Sequence, residues 1–146
     1  MTNLCHLAAD WRGDLPADGA MLERKWDGWR ALAFQGADGS HRLWSRNGHP
    51  IEGTGHILYR VRQMERAAGE RLFVDGEFVV DDAGQGTLHA TKAWCESGWR
   101  FGGEAGTFHA FDMLTLAEWR AGGSDVPLFE RKARLKALLE GLSPIP

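Results

Sequence analysis

The sequence predicts an α+β fold in which helices flank a mainly antiparallel sheet. Short segments of strand-like composition before residue 50 are joined by tight turns that contain glycine, which is typical of an antiparallel meander. Apolar residues recur at helical spacing over residues 55–68 and again over residues 127–142. The predicted order of strands, helix, strands, helix, strand and helix indicates this fold class.

Three short strands are predicted in the first part of the chain. Residues 21–30 form a strand that runs into a turn at Gly28, and residues 31–35 form the second strand. A turn at residues 36–40 leads into the third strand, residues 41–46. Together they form the meander.

Helices and further strands follow. Residues 55–68 form an amphipathic helix, and Thr54 is suited to be its N-cap. The later elements are strand segments 71–75 and 77–81 around Gly76, a polar turn at 81–86, a helix at 87–97, a loose glycine-rich stretch at 98–106, a strand at 107–113, and a helix that begins at Pro127 and is stopped by Gly141 and residues 143–146.

One charged stretch stands out within the first predicted strand. Because side chains alternate along a strand, Glu23, Lys25 and Asp27 are expected on one face, with the lysine between two carboxylates. Gly28 follows directly, and a glycine allows another group to approach the backbone closely. By itself this pattern fits a solvated surface strand as well as it fits a reactive lysine.

Composition excludes several kinds of protein. The 146 residues suffice for one domain with a real core, and the net charge of −3 argues against a generally basic nucleic-acid binder, although not against a local basic face. The two cysteines form no CxxC pair and the six histidines lack ligand spacing, so we expect neither a disulfide framework nor a structural zinc. No signal peptide or membrane-spanning apolar run is visible, so we expect a cytoplasmic protein without a membrane partner.

Four motifs resemble one family when they are taken together. KWDGWR at residues 25–30 resembles the nucleotide-binding signature of the covalent nucleotidyltransferases, which include ATP-dependent DNA ligases, RNA ligases and mRNA capping enzymes. SRNG at 45–48, VDGE at 74–77 and FHAFD at 108–112 resemble the family's later motifs and follow in its order. The resemblance implies the DNA ligase/mRNA capping nucleotidyltransferase core, an ATP-grasp-like fold.

Two details make the chain look most like bacterial and phage ATP-dependent DNA ligases. They are Trp26 between the lysine and the aspartate, and the Arg-Asn-Gly of the second motif; Arg30 departs from NAD-dependent ligases. The resemblance therefore implies that the cofactor is ATP, that a lysyl-AMP intermediate forms, and that AMP passes to the 5′-phosphate of nicked DNA in repair, replication or recombination. The alternatives are an RNA ligase or capping-type nucleotidyltransferase, and an inactive nucleotide- or DNA-binding remnant.

The resemblance assigns the chemistry and the base contacts to four residues. Lys25 would attack the α-phosphate of ATP. Asp27 would orient Lys25 and the turn, and a purely structural role is the alternative for it. Glu23 would lie beside the adenine, and Phe111 would stack on its face. Spacing alone would make Phe111 a core residue, and Phe108 is the second candidate for the stacking position.

Three further residues are assigned to the phosphates, the ribose and a metal. Arg30 and Arg46 suit phosphate and ribose contacts, because a guanidinium donates in a planar fork that matches phosphate oxygens. The alternative for each of these arginines is an ordinary surface ion pair. Glu77 would contact the ribose hydroxyls or hold Mg²⁺, which prefers oxygen ligands, and Asp75 could share that role.

The resemblance covers residues 20–142, and we divide the chain into a lead-in at 1–20 and a nucleotidyltransferase core at 21–142. The later EGxxxK motif, the last lysine-bearing motif and the oligonucleotide-binding barrel of the family are not found. We therefore expect residues 1–146 to form a partial adenylation domain that is incomplete at its C-terminus. A partner chain or segment would supply the rest, and an open sheet edge and an apolar patch would mark its place.

Overall fold

The computed structural model describes residues 4–5, 9–10, 13, 17, 19–81 and 87–142. Most of the expected lead-in, nearly all of the expected turn at 81–86 and the expected helix stop at 143–146 therefore lie outside the described residues. The elements are β1 (Trp29–Gln35), β2 (His41–Ser45), β3 (Pro50–Ile51), α1 (Gly55–Ala68), β4 (Leu72–Val79), α2 (Thr87–Glu96), a 3₁₀ turn (Gly98–Phe101), β5 (Thr107–Thr115), α3 (Leu116–Arg120) and α4 (Leu128–Glu140).

The five strands form one antiparallel sheet in the order β3-β2-β1-β4-β5. This sheet with its flanking helices confirms the predicted α+β fold class. Strand β4 lies between β1 and β5, and all of its residues are buried except Glu77. The single half-buried carboxylate on the most buried strand is the first structural sign of a site.

The two faces of the sheet are covered differently. Residues of α1, α2 and α4 pack on one face and form the larger core with Leu43, Val74 and Phe78. Of the four α-helices in the described part of the chain, only the short α3 packs on the opposite face. There Trp119 stacks on Phe73 at 4.6 Å between ring centroids. Arg30, Asp75 and Glu77 belong to this second, less covered face.

Local sequence signals account for the helices. The apolar side chains at helical spacing in α1 are buried against the sheet, and α1 has the predicted limits. Thr54 precedes this helix, but its hydroxyl donates to the carbonyl of Ile51 at 2.9 Å and caps no helical amide. None of the helices in the described part of the chain combines the length and the apolar character needed to span a membrane.

The predicted strand over residues 21–30 is wrong. Residues 19–26 have no regular secondary structure, and β1 begins only at Trp29, where pairing with Phe78 of β4 starts. The alternation argument that placed Glu23, Lys25 and Asp27 on one strand face therefore does not apply, because the segment lacks a sheet partner that would enforce the alternation.

Two other predictions need correction, and two elements were not predicted. The segments on either side of Gly76 are one continuous strand, β4, with a bulge in its pairing with β5. The stretch predicted to be loose contains a 3₁₀ turn, and the two-residue β3 was not predicted. Helix α3 was also missed, although Thr115 and Glu118 form a reciprocal capping box at its start.

Candidate active site

The Lys25 segment is anchored to the sheet at Gly28. The Gly28 N–H donates to Oε1 of Glu77 at 3.2 Å. A Cβ at position 28 would lie 2.3 Å from the carbonyl oxygen of Phe78 and 2.8 Å from a methyl carbon of Val79. Only a glycine permits this approach to β4. The Asp-Gly pair therefore brings the chain, and with it Lys25, beside Glu77.

Glu77 is the centre of a group of charges. It lies directly opposite Arg30 on β1 and opposite His109 on β5, so the three share one face of the sheet. Burial raises the pKa of Glu77, while the Gly28 N–H and the positive charges of Arg30 and Lys25 act against this rise. Asp27 is also close enough to raise the pKa of Glu77. Lys25, Asp27, Arg30 and Glu77 thus come together, as the motifs imply.

Arg30 is held in place by two neighbours. Its Nε and Nη2 donate to the two carboxylate oxygens of Asp75 at 2.7 and 2.6 Å. The guanidinium also lies over the ring of Phe111, 4.9 Å from the centroid. Burial raises the pKa of Asp75 even though the Arg30 hydrogen bonds lower it. Asp75 accepts hydrogen bonds from Nε and Nη2 of Arg30. The Nη1 group makes no hydrogen bond to Asp75 and can donate to another acceptor.

Phe111 owes its position to the bulge in β5. Asp75 pairs with Asp112 and the next residue, Gly76, pairs with Ala110, so Phe111 is the extra residue. A Cβ at position 76 would lie 2.6 Å from the ring of Phe108, so a glycine is needed where the strands come this close. The ring of Phe108 packs with the larger core on the helix-covered face. Of the two candidates, Phe111 is the aromatic residue beside Arg30.

Helix α4 contributes two residues that sequence reasoning missed. Arg131 donates from Nε and Nη2 to the two oxygens of Asp112 at 2.9 and 2.8 Å. Lys132 donates from Nζ to a carboxylate oxygen of Glu23 and to the carbonyl oxygen of Phe111, the latter at 2.5 Å. Glu23 and Phe111 are therefore joined through one ammonium group. No local pattern could reveal this contact, because the partners are 109 positions apart.

The two residues on either side of Lys25 in the sequence belong to a stack of three side chains. The rings of Trp26 and His109 are 3.5 Å apart and nearly parallel, and the Arg24 guanidinium lies 4.0 Å from the Trp26 centroid. Burial, with a smaller effect of the Arg24 charge, lowers the pKa of His109. A cavity of about 470 Å³ opens here, and its lining includes Lys25, Trp26 and Asp27. His109 was not predicted, since its role depends on a ring distant in sequence.

Arg46 has a different environment from the other predicted site residues. It is exposed just beyond β2, and its guanidinium makes no hydrogen bond or ion pair with any residue that the structure describes. Its backbone carbonyl accepts a hydrogen bond from the N–H of Leu4 at 3.0 Å. Burial raises the pKa of Cys5, and the charges of both Arg30 and Arg46 oppose this rise. Arg46 is therefore near the face that carries Arg30, but is not fixed to it.

Glu77 is the carboxylate best placed to take part in metal binding. No group of three or more His, Cys, Asp or Glu side chains forms a ready metal site among the described residues. Glu77 uses Oε1 for the Gly28 N–H, which leaves Oε2 for another ligand. One carboxylate suits Mg²⁺, which commonly binds a protein through one or two carboxylates and completes its shell with water and substrate phosphates. Asp75 is committed to Arg30 instead.

A second cavity is lined by Phe108, the alternative candidate for the stacking position, and by no other predicted site residue. It has a volume of about 270 Å³ and lies on the helix-covered face. Its walls are mainly apolar and include Val61, Met64, Leu139 and Leu142. Arg30, Asp75 and Glu77 lie instead on the opposite face of the sheet.

The comparisons with known proteins all point to DNA ligases. The family model described as ATP dependent DNA ligase domain matches residues 14–145. The multifunctional non-homologous end joining protein LigD of Pseudomonas aeruginosa is 35% identical over 127 residues, which are 85% of this chain and 14% of LigD. The chain thus spans about one seventh of the length of that relative.

Two solved structures share the fold. The one named Pmar-Lig_Pre superposes with a TM-score of 0.63 at 22% identity, and the match covers 80% of this chain and 26% of that chain. The ligase domain of LigD from M. tuberculosis superposes with a TM-score of 0.50 at 24% identity, over 81% of this chain and 36% of that chain. At these identities the likeness concerns the fold alone.

Proposed function

Because this chain belongs to the ATP-dependent DNA ligase family, whose adenylation domain it matches over residues 14–145, we propose that it carries the adenylation step at Lys25. The observation that carries the proposal is the anchoring of the Lys25 segment. Gly28 fixes this segment to Glu77, whose pKa responds to the charges of both Lys25 and Arg30, and the Arg30 guanidinium lies over the ring of Phe111.

The proposed reaction is a phosphoryl transfer to nitrogen. The Lys25 amine, after losing its proton, attacks the α-phosphorus of ATP; a P–N bond forms, the bond to the bridging oxygen breaks, and pyrophosphate leaves. The product is a lysyl-AMP phosphoramidate. In the following steps a DNA 5′-phosphate takes the AMP from Lys25, and a 3′-hydroxyl displaces AMP as the nick is sealed.

The predicted site residues suit the nucleotide. Phe111 offers a ring on which the adenine can stack. The Arg30 guanidinium over that ring restricts the position of the ring. Glu77 can accept hydrogen bonds from ribose hydroxyls through Oε2, and Arg30 can donate to the nucleotide through Nη1. Arg46 and Lys25 supply further positive charge for the phosphates.

We also propose that Glu77 contributes one ligand to Mg²⁺, with the phosphates of ATP and water as the others. The ion would neutralise negative charge on the phosphates during the transfer. Asp27 lies near Glu77 and Lys25, and its part is to orient the turn that carries the lysine.

Nicked DNA is the proposed substrate, and strand repair is the proposed setting. The relative from Pseudomonas aeruginosa is named for non-homologous end joining, which favours break repair over replication as the context. The net charge of −3 means that DNA affinity would come from local positive charges, for which Arg24, Lys25 and Arg46 are candidates. Binding should then weaken steeply as salt rises.

The face that carries Arg30, Asp75 and Glu77 is the place where we propose that further protein completes the site. Little of the described chain covers this face apart from α3 and residues 4–5. A partner chain or an additional segment seated there would enclose the phosphates and exclude water. Mixing such a segment with the chain should raise the rate of adduct formation.

Labelling with ATP that carries ³²P at the α-position tests the proposed function. After incubation with Mg²⁺, the denatured wild-type chain should retain label, and Lys25→Ala should retain none. Lys92→Ala is the matched control, since Lys92 is an exposed lysine whose ion-pair partner among the described residues is Glu96 on its own helix. Retained label on Lys25→Ala would overturn the assignment of the nucleophile.

Three outcomes would favour the other candidate functions. A stronger adduct with GTP than with ATP would indicate a capping-type nucleotidyltransferase, and sealing of nicked RNA but not DNA would indicate an RNA ligase. Binding of ATP without any adduct, also after a completing segment is added, would indicate a nucleotide-binding remnant.

A further inference from the structure

We propose that Lys132 of α4 sets the base preference of the nucleotide site by holding Glu23 in place. This inference rests on the proposed function, because it concerns the same site. Lys132 belongs to none of the four motifs and lies more than a hundred positions from Glu23 in the sequence. Its role is that of a positioning residue, since it acts through Glu23.

The geometry joins the two residues that would meet the base. Lys132 donates both to the Glu23 carboxylate and to the Phe111 carbonyl. The side chain of Lys132 is only 15% exposed, whereas that of Glu23 is 49% exposed. All three residues line one cavity of about 230 Å³. An ammonium shielded in this way is directed at its partners rather than at solvent.

Glu23 needs such a contact to have a defined position. It lies in the stretch 19–26, which has no regular secondary structure, so no sheet ladder fixes it. Lys132 is itself fixed, because the neighbouring Arg131 ties α4 to Asp112 of β5 through two hydrogen bonds. Helix α4 is thus held against β5, and its Lys132 in turn holds the Glu23 carboxylate.

The chemistry of the bases explains why this matters. Adenine presents a 6-amino group, which donates, and guanine presents a 6-oxo group, which accepts. A carboxylate only accepts, so it favours adenine and opposes guanine. Lys132 occupies Oε1 of Glu23, and Oε2 has no partner among the residues that the structure describes. Phe111 then holds the base face while Glu23 Oε2 meets its 6-amino edge.

The pair differs from the ordinary surface ion pairs of this chain. Lys92–Glu96 and Lys136–Glu140 join residues one helical turn apart, and all four of their side chains are more than half exposed. Such pairs contribute little to stability and fix nothing distant. The Lys132–Glu23 pair instead connects the last described helix to the segment that precedes Lys25.

Calorimetric titration of the full chain with ATP and with GTP tests the inference. Lys132→Met should weaken ATP binding about tenfold, as expected for loss of a charge-assisted contact, and should leave GTP binding unchanged. Lys132→Arg should restore most of the preference, because it keeps a donating cation. Lys92→Met is the control and should bind both nucleotides as the wild type does.

Two further measurements separate positioning from a merely structural role. In a Glu23→Gln background, Lys132→Met should change the ratio of ATP to GTP affinity no further, since its effect runs through that carboxylate. Thermal denaturation reports whether each variant is folded. Equal losses for ATP and GTP, or no loss for either in folded Lys132→Met, would overturn the inference while leaving the proposed function intact. If the wild type binds neither nucleotide, the proposed function and this inference fail together.

Discussion

Replacement of Gly28 by alanine tests the link between the fold and the site most directly. The new Cβ would lie 2.3 Å from the Phe78 carbonyl oxygen, where an ordinary contact needs at least 3.4 Å. A displacement of about 1 Å is therefore required, and the obstructing atom is backbone of the most buried strand. We expect the Lys25 segment to lift away from β4, because this segment has no ladder of its own.

The size of the effect follows from two alternative responses. If the segment stays, overpacking costs about 1–3 kcal/mol. If it lifts, the hydrogen bond from Gly28 to the Glu77 carboxylate is lost, which costs about 1.5–3 kcal/mol for a charged acceptor. The two responses exclude each other, so the loss is about 2 kcal/mol, which corresponds to a fall in Tm of about 6–8 °C for a chain of this size.

Differential scanning calorimetry gives the change in stability, and labelling with α-labelled ATP gives the change in adduct yield. We expect the yield to fall by more than the stability change explains, since Lys25 moves away from Glu77 even in the folded protein. Gly141→Ala is the control, because Gly141 has a φ of −75° and its added Cβ would lie 3.3 Å from the nearest atom, against 2.3 Å at position 28. A Gly28→Ala variant that matches this control in both Tm and labelling would refute the reasoning.

Three further changes have expected outcomes. Because burial raises the pKa of Glu77, its charged form destabilises the fold above that pKa and not below the ordinary value of 4.5. Glu77→Gln should therefore raise Tm at pH 7 and lose this advantage near pH 4, with adduct yield reduced about tenfold or more; a Tm gain that is the same at both pH values would contradict the assignment. Burial raises the pKa of Cys95 to about 12, so iodoacetamide at pH 8 should modify this thiol only after denaturation, as peptide mass spectrometry would show. Arg131→Met should lower the free energy of unfolding in urea by about 1–3 kcal/mol, because it removes the two hydrogen bonds that Arg131 donates to the Asp112 carboxylate. Lys136→Met, which removes an exposed ion pair, should change it by less than about 1 kcal/mol.

Elements with local determinants were predictable from the sequence. The limits of α1 follow from apolar spacing, and the structure reproduces them. The capping box of Thr115 and Glu118 is a signal of the same kind, and it would have revealed α3. Gly76 was misread as a break between strands, because the reason for a glycine there is the ring of Phe108 on the neighbouring strand.

The site was predictable where the motifs carried it and not where tertiary contacts do. Lys25 comes beside Glu77, but through the close approach of Gly28 to β4 rather than through strand alternation. Asp75 and Lys132 show the limit of sequence reasoning. Whether Asp75 binds a metal or an arginine depends on Arg30, which is distant along the chain. The contact of Lys132 with Glu23 likewise joins distant positions.

The two edges of the sheet differ in how readily another strand can pair with them. One side terminates in the two residues of β3, and the first of these, Pro50, carries no amide hydrogen with which an incoming chain could extend a ladder. The other side terminates in the nine residues of β5, where the Lys132 ammonium already occupies the carbonyl of Phe111. Within the part of the chain that the structure describes, a strand that added to β5 at Phe111 would displace this Lys132 contact.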